Sequence, residues 1–154
     1  MARKFEKVTR LKDVDLKLPQ RSTKHSAGYD FYAYEDIVIP PHSFHSESIK
    51  PYCIKTGIKV KMCDNECLKL YPRSSWPSKL GLVMANSVGI IDSDYYENED
   101  NEGEIGFLVY NLTSNDVIIR AGDKLGQGIF VKFLLTDDDT SDGTRVGGYG
   151  STGA

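Results

Sequence analysis

The sequence has no long apolar run, no even set of cysteines and no excess of basic residues. None of its apolar runs approaches the roughly 20 residues that a membrane-spanning helix needs, so we expect no membrane association. Three cysteines are an odd number, which argues against a disulfide framework. With 19 Lys and Arg against 22 Asp and Glu, the net charge of −3 argues against a nucleic-acid-binding protein. A local group of cations and a metal ion can still bind a small polyanion.

Two of the cysteines leave an alternative open. Cys63 and Cys67 are four residues apart, and a zinc site would need two further ligands at a suitable spacing. The three histidines, His25, His42 and His45, lie far upstream in the sequence. We therefore favour reduced thiols near a turn over one half of a zinc site.

A chain of 154 residues is long enough for one domain with a core of its own. Apolar residues make up 40% of it and charged residues 27%, as in ordinary globular proteins. The basic residues Arg3 and Lys4 are not followed by an apolar stretch, so no secretory signal is expected. We therefore expect a cytoplasmic location.

Apolar and polar residues alternate with a period of two along most of the chain, which predicts an all-β fold. Pro, Asn, Asp and Gly separate these short runs, as in sandwiches and barrels. The best helical candidate, residues 75–82, contains Pro77 and Gly81, so we expect one turn at most. The clearest strand-like runs are residues 54–62, 106–112 and 128–134.

Two segments differ from the rest in composition. Residues 97–104 hold five acids between two strand-like runs, which is most simply a solvated hairpin tip. From about Asp137 onward the chain is mostly Asp, Ser, Thr and Gly with little to bury, so it should be mobile without a ligand. The expected organisation is a β domain over residues 1–136 and a flexible C-terminal arm over residues 137–154.

Two loops have residues suited to bind phosphate. In the arm, Arg145 precedes residues 147–153, where glycines let backbone N–H groups approach an anion and hydroxyls add donors. Tyr149, the aromatic side chain among these glycines, is suited to stack on a base. Arg73 and the two serines after it precede the possible helical turn, where free N–H groups favour a phosphate. Taken alone, the loops also fit a flexible Gly-rich tail and an ordinary Ser-rich helix cap.

Three further segments place polar groups in strands or at their ends. Asp92 and Asp94 follow an apolar strand two residues apart, so both are expected on one strand face. A carboxylate there can orient and deprotonate a water, although an Asp-rich turn is the plainer alternative. Asp30 lies within an aromatic strand, so its carboxylate needs a partner or a metal. Lys124 and Gln127 offer a cation and an amide at the entry to a strand.

Taken in order, these segments resemble the five motifs of the trimeric dUTPase family, the deoxyuridine 5′-triphosphate nucleotidohydrolases. The resemblance runs from about Leu11 to the end of the chain, and five ordered matches are far more specific than any one of them. The matching segments are Ala27-Gly28-Tyr29-Asp30, Pro72-Arg73-Ser74-Ser75, Gly89-Ile90-Ile91-Asp92-Ser93-Asp94-Tyr95, Gly122-Asp123-Lys124 with Gln127, and Gly147-Gly148-Tyr149-Gly150-Ser151-Thr152-Gly153.

The resemblance implies a jelly-roll-like β barrel that assembles as a homotrimer, with three subunits sharing each active site. It also implies hydrolysis of dUTP to dUMP and pyrophosphate by attack of water on the α-phosphorus. This reaction would lower dUTP and supply dUMP for thymidylate synthesis. Mg2+ would be chelated mainly by the three phosphates, and Asp30 would contact it through bound water.

The family's residue roles carry over to the matching positions. Asp92 would hold the attacking water and accept a hydrogen bond from the sugar 3′-OH. Tyr95 would pack against the deoxyribose where a 2′-OH would clash. Uracil would be read by Asn86, Gly89, Ile90, Ile91 and Gly106. The phosphates would be held by Arg73, Ser74, Ser75 and Gln127. The arm would place Arg145, Ser151 and Thr152 around the γ-phosphate, with Gly150 beside them. Tyr149 of the arm would stack on uracil.

The chain departs from the family pattern in three places. The family usually has Phe where this chain has Tyr149, and an Arg five residues before that aromatic, whereas Arg145 is four residues before it. The hairpin after Tyr95 usually turns at once, whereas residues 96–102 form an acidic extension here. We expect this extension to be either a solvated spacer, which we favour, or a docking patch for a basic protein partner. Under both interpretations its removal would leave dUTP turnover within a few-fold.

Other functions stay open at this point. A dCTP deaminase shares the fold but needs a deaminating general base. A regulatory binding protein could retain the nucleotide site and use the acidic extension to bind a partner. A β-sandwich adaptor with incidental glycines fits poorly with five ordered motifs. Pyrophosphate release from dUTP, dCTP, dTTP and UTP distinguishes these functions.

Overall fold

The computed structural model describes residues 3–43, 50–145 and 147–148. Within these residues the chain forms eleven strands and three single helical turns, so the prediction of an all-β fold is confirmed. The strands are β1 (Lys4–Lys7), β2 (Tyr29–Tyr32), β3 (Ile37–Ile39), β4 (Tyr52–Lys55), β5 (Ile58–Lys61), β6 (Glu66–Pro72), β7 (Leu82–Met84), β8 (Gly89–Asp92), β9 (Gly106–Asn111), β10 (Val117–Ile119) and β11 (Lys124–Lys132). The helical turns are Thr9–Leu11, Trp76–Leu80 and Ser93–Tyr95.

The strands pair into four antiparallel sheets. The largest has the order β2-β11-β6-β8, a second has the order β4-β9-β7, and β1-β5 and β3-β10 form two pairs. The last strand, β11, lies between β2 and β6, so it pairs with two strands from earlier in the chain. In the part of the chain that the structure describes, the ladders do not join into one closed barrel.

A cluster of aromatic side chains lies at the centre of the core. Phe31, Phe107 and Trp76 are almost fully buried, and Phe107 meets Phe31 and Trp76 edge to face at centroid distances of 5.8 and 6.2 Å. Burial of such a side chain stabilises a fold by roughly 1.5–3 kcal/mol. The cluster joins β2 to β9 and holds the helical turn Trp76–Leu80, which immediately follows Arg73 and its two serines.

Two strand-like runs have different bounds from those the pattern predicts. Residues 54–62 form two strands, because Gly57 between β4 and β5 has a φ of +70°. A Cβ at Gly57 would lie 2.5 Å from Leu11 Cδ1, so this bend requires glycine. Strand β11 begins at Lys124 and ends at Lys132, so the apolar residues beyond it lie outside the ladder. The helical turn near residues 75–82 was predicted correctly, since Gly81 ends it.

Residues 133–145 contain neither helix nor strand. Leu134 is 96% exposed and Leu135 67% exposed, so this stretch buries little apolar surface. No helix among the described residues is long and apolar enough to cross a membrane. Among the described residues, Cys53, Cys63 and Cys67 form no disulfide, and a hydrogen bond from Glu66 N to Cys63 O closes a turn between the last two.

Candidate active site

Three predicted motifs meet at one end of the four-stranded sheet. Gln127 on β11 is the register partner of Asp30 on β2 and of Tyr71 on β6. Gly28 makes room for the Gln127 amide, because a Cβ at this position would lie 2.0 Å from Gln127 Oε1. Strand β6 ends one residue after Tyr71, so Arg73 lies at the same end. The structure therefore groups the predicted phosphate-binding residues with Asp30.

The Asp30 carboxylate is buried and paired with donors. It accepts hydrogen bonds from Lys124 Nζ at 2.7 Å and from the Ser22 hydroxyl. Burial by itself raises the pKa of Asp30, but these donors and the positive charge of Lys124 outweigh it and lower this pKa below its ordinary value. The described residues include no group of three or more His, Cys, Asp or Glu that could hold a metal. In this structure the Asp30 carboxylate is therefore ion-paired with Lys124.

The segment between β6 and the helical turn presents its polar side chains to solvent. Arg73 and Ser74 are exposed and Ser75 is half-buried. The turn is anchored by buried Trp76, whose backbone N–H donates a hydrogen bond to Arg73 O at 3.0 Å. The Ser75 side chain does not cap this turn. The local fold thus fixes the backbone and leaves Arg73 and Ser74 exposed.

Asp92 and Asp94 both bind Arg145. Strand β8 ends at Asp92, and the chain then enters the turn Ser93–Tyr95. The prediction that both carboxylates lie on one strand face is therefore wrong, because the strand ends before Asp94. Arg145 donates from Nη2 to Asp92 at 2.7 Å and from Nε to Asp94 at 2.8 Å. Its side chain is 10% exposed, whereas the carboxylate side chains are 49% and 54% exposed.

A cleft of about 710 Å³ lies beside this ion-paired group. Asp64 and Asp139 line it together with Asp92 and Asp94, and Arg145 is the cation among its lining residues. Four carboxylates and one guanidinium give the cleft a surplus of negative charge. A triphosphate would be repelled there unless further cations were added.

Tyr95 lies beneath the same guanidinium, with Arg145 Cζ 5.7 Å from its ring centroid. The ring is 4% exposed. The Tyr95 hydroxyl donates to Glu104 O at 3.2 Å and accepts from Asn101 Nδ2 at 2.8 Å. This side chain is therefore held at both of its ends.

The predicted uracil-reading residues surround Asp92 and Tyr95 in sequence. Strand β8 is the outer strand of its sheet as far as the structure describes the chain, so one backbone edge faces away from β6. Ile90 is 60% exposed on this strand, whereas Ile91 is buried. Asn86 is exposed in the turn before β8. Gly89 begins β8. Gly106 begins β9, in another sheet and two residues after Glu104.

Asp92 lies beside the first residues of β6, whereas Arg73 follows its last residue. Asp92 is the register partner of Cys67, near the start of the strand. Six residues of extended strand span about 20 Å. The α- and γ-phosphorus atoms of a nucleoside triphosphate are separated by two P–O–P links. Asp92 and the predicted phosphate-binding residues of one chain are therefore far apart along the sheet.

The prediction of a solvated spacer at residues 96–102 is wrong. The Lys59 ammonium, whose side chain is 7% exposed, pairs with Glu97 and with Glu102 at 3.2 Å. Glu102 also accepts from Thr9 N at 3.0 Å and Thr9 Oγ1 at 2.7 Å. A docking patch also loses support, because Glu97 and Glu102 are engaged inside the chain. Sequence proximity gave no sign of this, since the donors lie 38 to 93 residues away.

Sequence reasoning missed the other residues that hold this segment. Arg10 pairs with Glu104 at 2.5 Å, and the Asn98 side chain is buried. Asn98 and Asn101 are three residues apart in an otherwise acidic run, a pattern typical of side-chain-capped turns. That spacing was the signal available in the sequence.

The last motif is described in part. Gly148 N donates to the Asp100 carboxylate at 2.7 Å. The predicted site residues Tyr149, Gly150, Ser151 and Thr152 lie outside the described residues.

Known proteins are similar to this chain in both sequence and fold. The profile of the dUTPase family matches residues 15–153. A deoxyuridine 5′-triphosphate nucleotidohydrolase of Lactococcus lactis subsp. lactis (strain IL1403) is 47% identical over 154 residues, which cover 99% of this chain and 98% of that protein. The crystal structure of dUTPase from Streptococcus mutans has a TM-score of 0.77 at 43% identity, covering 86% of this chain and 98% of that one. A mutant dUTPase from phage phi11 of S. aureus, with a structural Mg(II) ion, has a TM-score of 0.68 at 21% identity and covers 93% of this chain and 98% of its own. The chain therefore belongs to the dUTPase family.

Proposed function

We propose that the chain hydrolyses dUTP to dUMP and pyrophosphate at the cleft beside Asp92, in a homotrimer whose subunits complete one another's sites. The reaction is supported by the match to the family over residues 15–153 and by 47% identity to a deoxyuridine 5′-triphosphate nucleotidohydrolase. The observation that carries the location is the pair of half-exposed carboxylates, Asp92 and Asp94, held by Arg145 of the arm.

Asp92 is the group suited to orient the attacking water and to accept its proton. Arg145 holds this carboxylate in the described structure. A guanidinium stays charged and pairs with carboxylate and phosphate oxygens alike. A triphosphate carries more negative charge than two carboxylates, so we expect Arg145 to move from Asp92 to a phosphate when dUTP binds. Asp92 is then available to the water and to the sugar 3′-OH.

A second subunit would supply the phosphate-binding group. The distance of about 20 Å along β6 separates Arg73 from Asp92 within one chain. A closed threefold assembly places one surface of a subunit against a different surface of its neighbour. We propose that Arg73, Ser74, Ser75 and Gln127 of one subunit face the Asp92 cleft of the next, and offset its surplus of carboxylates. The arm over residues 137–154 would close the site.

Base and sugar selection would come from the segment between β7 and β9. Uracil presents two carbonyl acceptors on either side of an N–H donor, and the outer backbone edge of β8 can match this pattern. Cytosine inverts two of the three groups, which leaves buried polar groups unpaired at roughly 1–3 kcal/mol each. Thymine keeps the pattern and would be excluded by lack of room for its methyl group. Tyr95 would pack where a ribose 2′-OH would lie.

Magnesium would arrive bound to the triphosphate. The described residues offer no cluster of metal ligands, and Asp30 is paired with Lys124. When bound, the metal supplies charge neutralisation and positioning of the phosphates. Asp30 would be available to its hydration shell once Lys124 turned towards a phosphate. A cytoplasmic location belongs to the same proposal.

The direct test is pyrophosphate release from dUTP, dCTP, dTTP and UTP under matched conditions. We expect rapid release from dUTP and much slower release from the other three. Ammonia release from dCTP would indicate a deaminase. Binding of dUTP without turnover would indicate a regulatory protein and would contradict the proposal.

A further inference from the structure

The acidic loop, defined here as residues 97–102, has a fixed internal structure. The buried Asn98 amide makes four hydrogen bonds. Its Nδ2 donates to Tyr95 O and to Asn101 Oδ1, both at 2.8 Å. Its Oδ1 accepts from the backbone N–H groups of Asp100 at 3.1 Å and Asn101 at 3.2 Å. A buried amide with all of these groups satisfied holds a loop in one conformation.

The loop retains an unfavourable backbone conformation. Glu97 has a φ of +59° and Glu102 a φ of +58°, in the left-handed region that residues other than glycine rarely adopt. Lys59 and Thr9 hold both residues there through their carboxylates. Conformations of this kind persist where the surrounding contacts determine them, and they are common at functional sites.

Asn101 joins the loop to Tyr95. Its side-chain oxygen accepts from Asn98 Nδ2 at 2.8 Å and from Gly103 N at 3.0 Å. The orientation of the amide is thereby fixed, so its nitrogen faces the Tyr95 hydroxyl at 2.8 Å. That hydroxyl donates its own proton to Glu104 O. The loop and the residues that follow it therefore set the position of the Tyr95 ring.

The same loop touches the arm. Asp100, next to Asn101, accepts a hydrogen bond from Gly148 N at 2.7 Å. Gly148 belongs to the last motif, three residues after Arg145, whose guanidinium covers the Tyr95 ring. The loop thus contacts the hydroxyl end of Tyr95 and the arm that lies over the ring.

We propose that the acidic loop positions Tyr95 and the arm for the reaction. Asn101 holds the Tyr95 ring where it leaves room for a 2′-deoxyribose and excludes a 2′-OH, and Asp100 holds the arm at Gly148. This inference rests on the proposed function, which puts Tyr95 against the sugar. Asn101 does not touch the substrate and acts through Tyr95, so it is a positioning residue.

A double-mutant cycle tests the action of Asn101 through Tyr95. The variants are Asn101→Ala, Tyr95→Phe and the two combined, and the readout is kcat/KM for dUTP and for UTP. We expect each single variant to lower the preference for dUTP roughly three- to tenfold, as for the loss of one buried hydrogen bond. The combined variant should lower it no further, because both changes remove the same contact. Additive effects would overturn the proposal, and so would an unchanged preference in both single variants.

Two controls separate the outcomes. Glu99→Ala changes an exposed acid of the same loop and should leave the preference for dUTP unchanged.

Tyr95→Ala tests the proposed function alone, because it removes the ring itself. If Tyr95→Ala leaves the preference unchanged, Tyr95 does not select the sugar and the proposed function is wrong at that point. If it changes the preference while Tyr95→Phe and Asn101→Ala do not, the inference about the loop fails alone. Tyr95→Phe keeps the ring, so it tests the hydroxyl even where Asn101→Ala does not fold.

The contact with the arm has its own test. Asp100→Ala should raise KM for dUTP roughly three- to tenfold, whereas Asp100→Asn, which still offers an oxygen to Gly148 N, should stay close to the unmodified chain. In a chain that ends before Arg145, Asp100→Ala should have no further effect. An effect of equal size in the truncated chain would show that Asp100 acts elsewhere and would overturn this contact.

Discussion

At the scale of single residues, Asp92 is the residue that we propose as the catalytic base. Its carboxylate is half-exposed at the end of β8, beside the cleft and within reach of Arg145. Asp92→Asn keeps the shape of the side chain and removes its capacity to accept a proton. We expect kcat for dUTP to fall by about 10²-fold or more with little change in substrate binding. Asp64→Asn changes another carboxylate of the cleft and serves as the control. Near-normal turnover of Asp92→Asn would exclude Asp92 as the base.

Tyr95 makes a separate prediction at the same scale. Tyr95→Ala removes the ring that would meet a ribose 2′-OH. We expect UTP hydrolysis to rise relative to dUTP hydrolysis in a competition assay. Since the Tyr95 ring is buried, a thermal melt should accompany the assay. An unchanged ratio in a folded variant would mean that another residue selects the sugar.

The motifs named these residues in advance because each motif is local. Asp30, Gln127 and Asp92 lie in short segments whose residue types are sufficient to indicate a role in binding or catalysis. Asn101 and Lys59 were not predicted, because their importance depends on Tyr95 and on acids brought to them by the fold. The Arg145 contact with Asp92 was also not predicted, since 53 residues separate the two.

At the scale of elements, the acidic loop is a folded part of the β domain. The side-chain and backbone donors of Thr9, together with Lys59, lower the pKa of Glu102 from 4.5 to about 2. A carboxyl whose pKa is lower in the folded chain stabilises the fold above its unfolded pKa. This contribution is lost as the pH falls from 4.5 towards 2.

Glu102→Gln tests this contribution because glutamine does not titrate. We expect the unmodified chain to be the more stable at pH 7, and its advantage to shrink as the pH falls below 4.5. Urea unfolding of both chains at a series of pH values measures the difference. Glu99→Gln reports the effect of removing one negative charge from the same loop. A difference between the chains that does not depend on pH would contradict the role of Glu102.

The elements themselves were largely predictable from the sequence. The β-branched and aromatic runs bounded by turn residues identified β9 and residues 128–132 of β11, and Pro77 with Gly81 limited the helical turn to five residues. The pattern could not place the bend at Gly57, because alternation continues across it while Leu11 fills the space beside it. It also could not show that Glu97 and Glu102 are bound by Thr9 and Lys59, because these donors are distant in sequence.

The arm is the last element with a prediction of its own. Residues 133–144 are exposed and bury little apolar surface. A chain that ends before Arg145 should therefore keep its stability to within about 1 kcal/mol and keep its assembly. It should lose most of its dUTP turnover, because the residues that close the site are gone. Sedimentation and urea unfolding check the first expectation and pyrophosphate release the second. Full activity after truncation would contradict the role of the arm.

At the scale of the whole molecule, the two halves of the proposed site do not meet within one chain. Gln127, Asp30 and Arg73 gather at one end of the four-stranded sheet, and Asp92 lies about 20 Å along β6 from Arg73. The family resemblance implied shared sites, but the order of the motifs in sequence does not report their distance along a sheet. The separation is the physical reason for expecting an assembly in which one subunit's Arg73 faces another subunit's Asp92.

Mixing two inactive variants tests this assembly most directly. Asp92→Asn and Arg73→Ala are each expected to be nearly inactive alone. When the two are refolded together in equal amounts, random assembly gives about a quarter of the sites an intact Asp92 and an intact Arg73 if these come from different subunits. We therefore predict that pyrophosphate release from dUTP recovers to about a quarter of the unmodified rate. If both residues of a site come from one chain, every site in the mixture carries one defect. A mixture as inactive as its parents, in assemblies shown to contain both variants, would contradict the shared site.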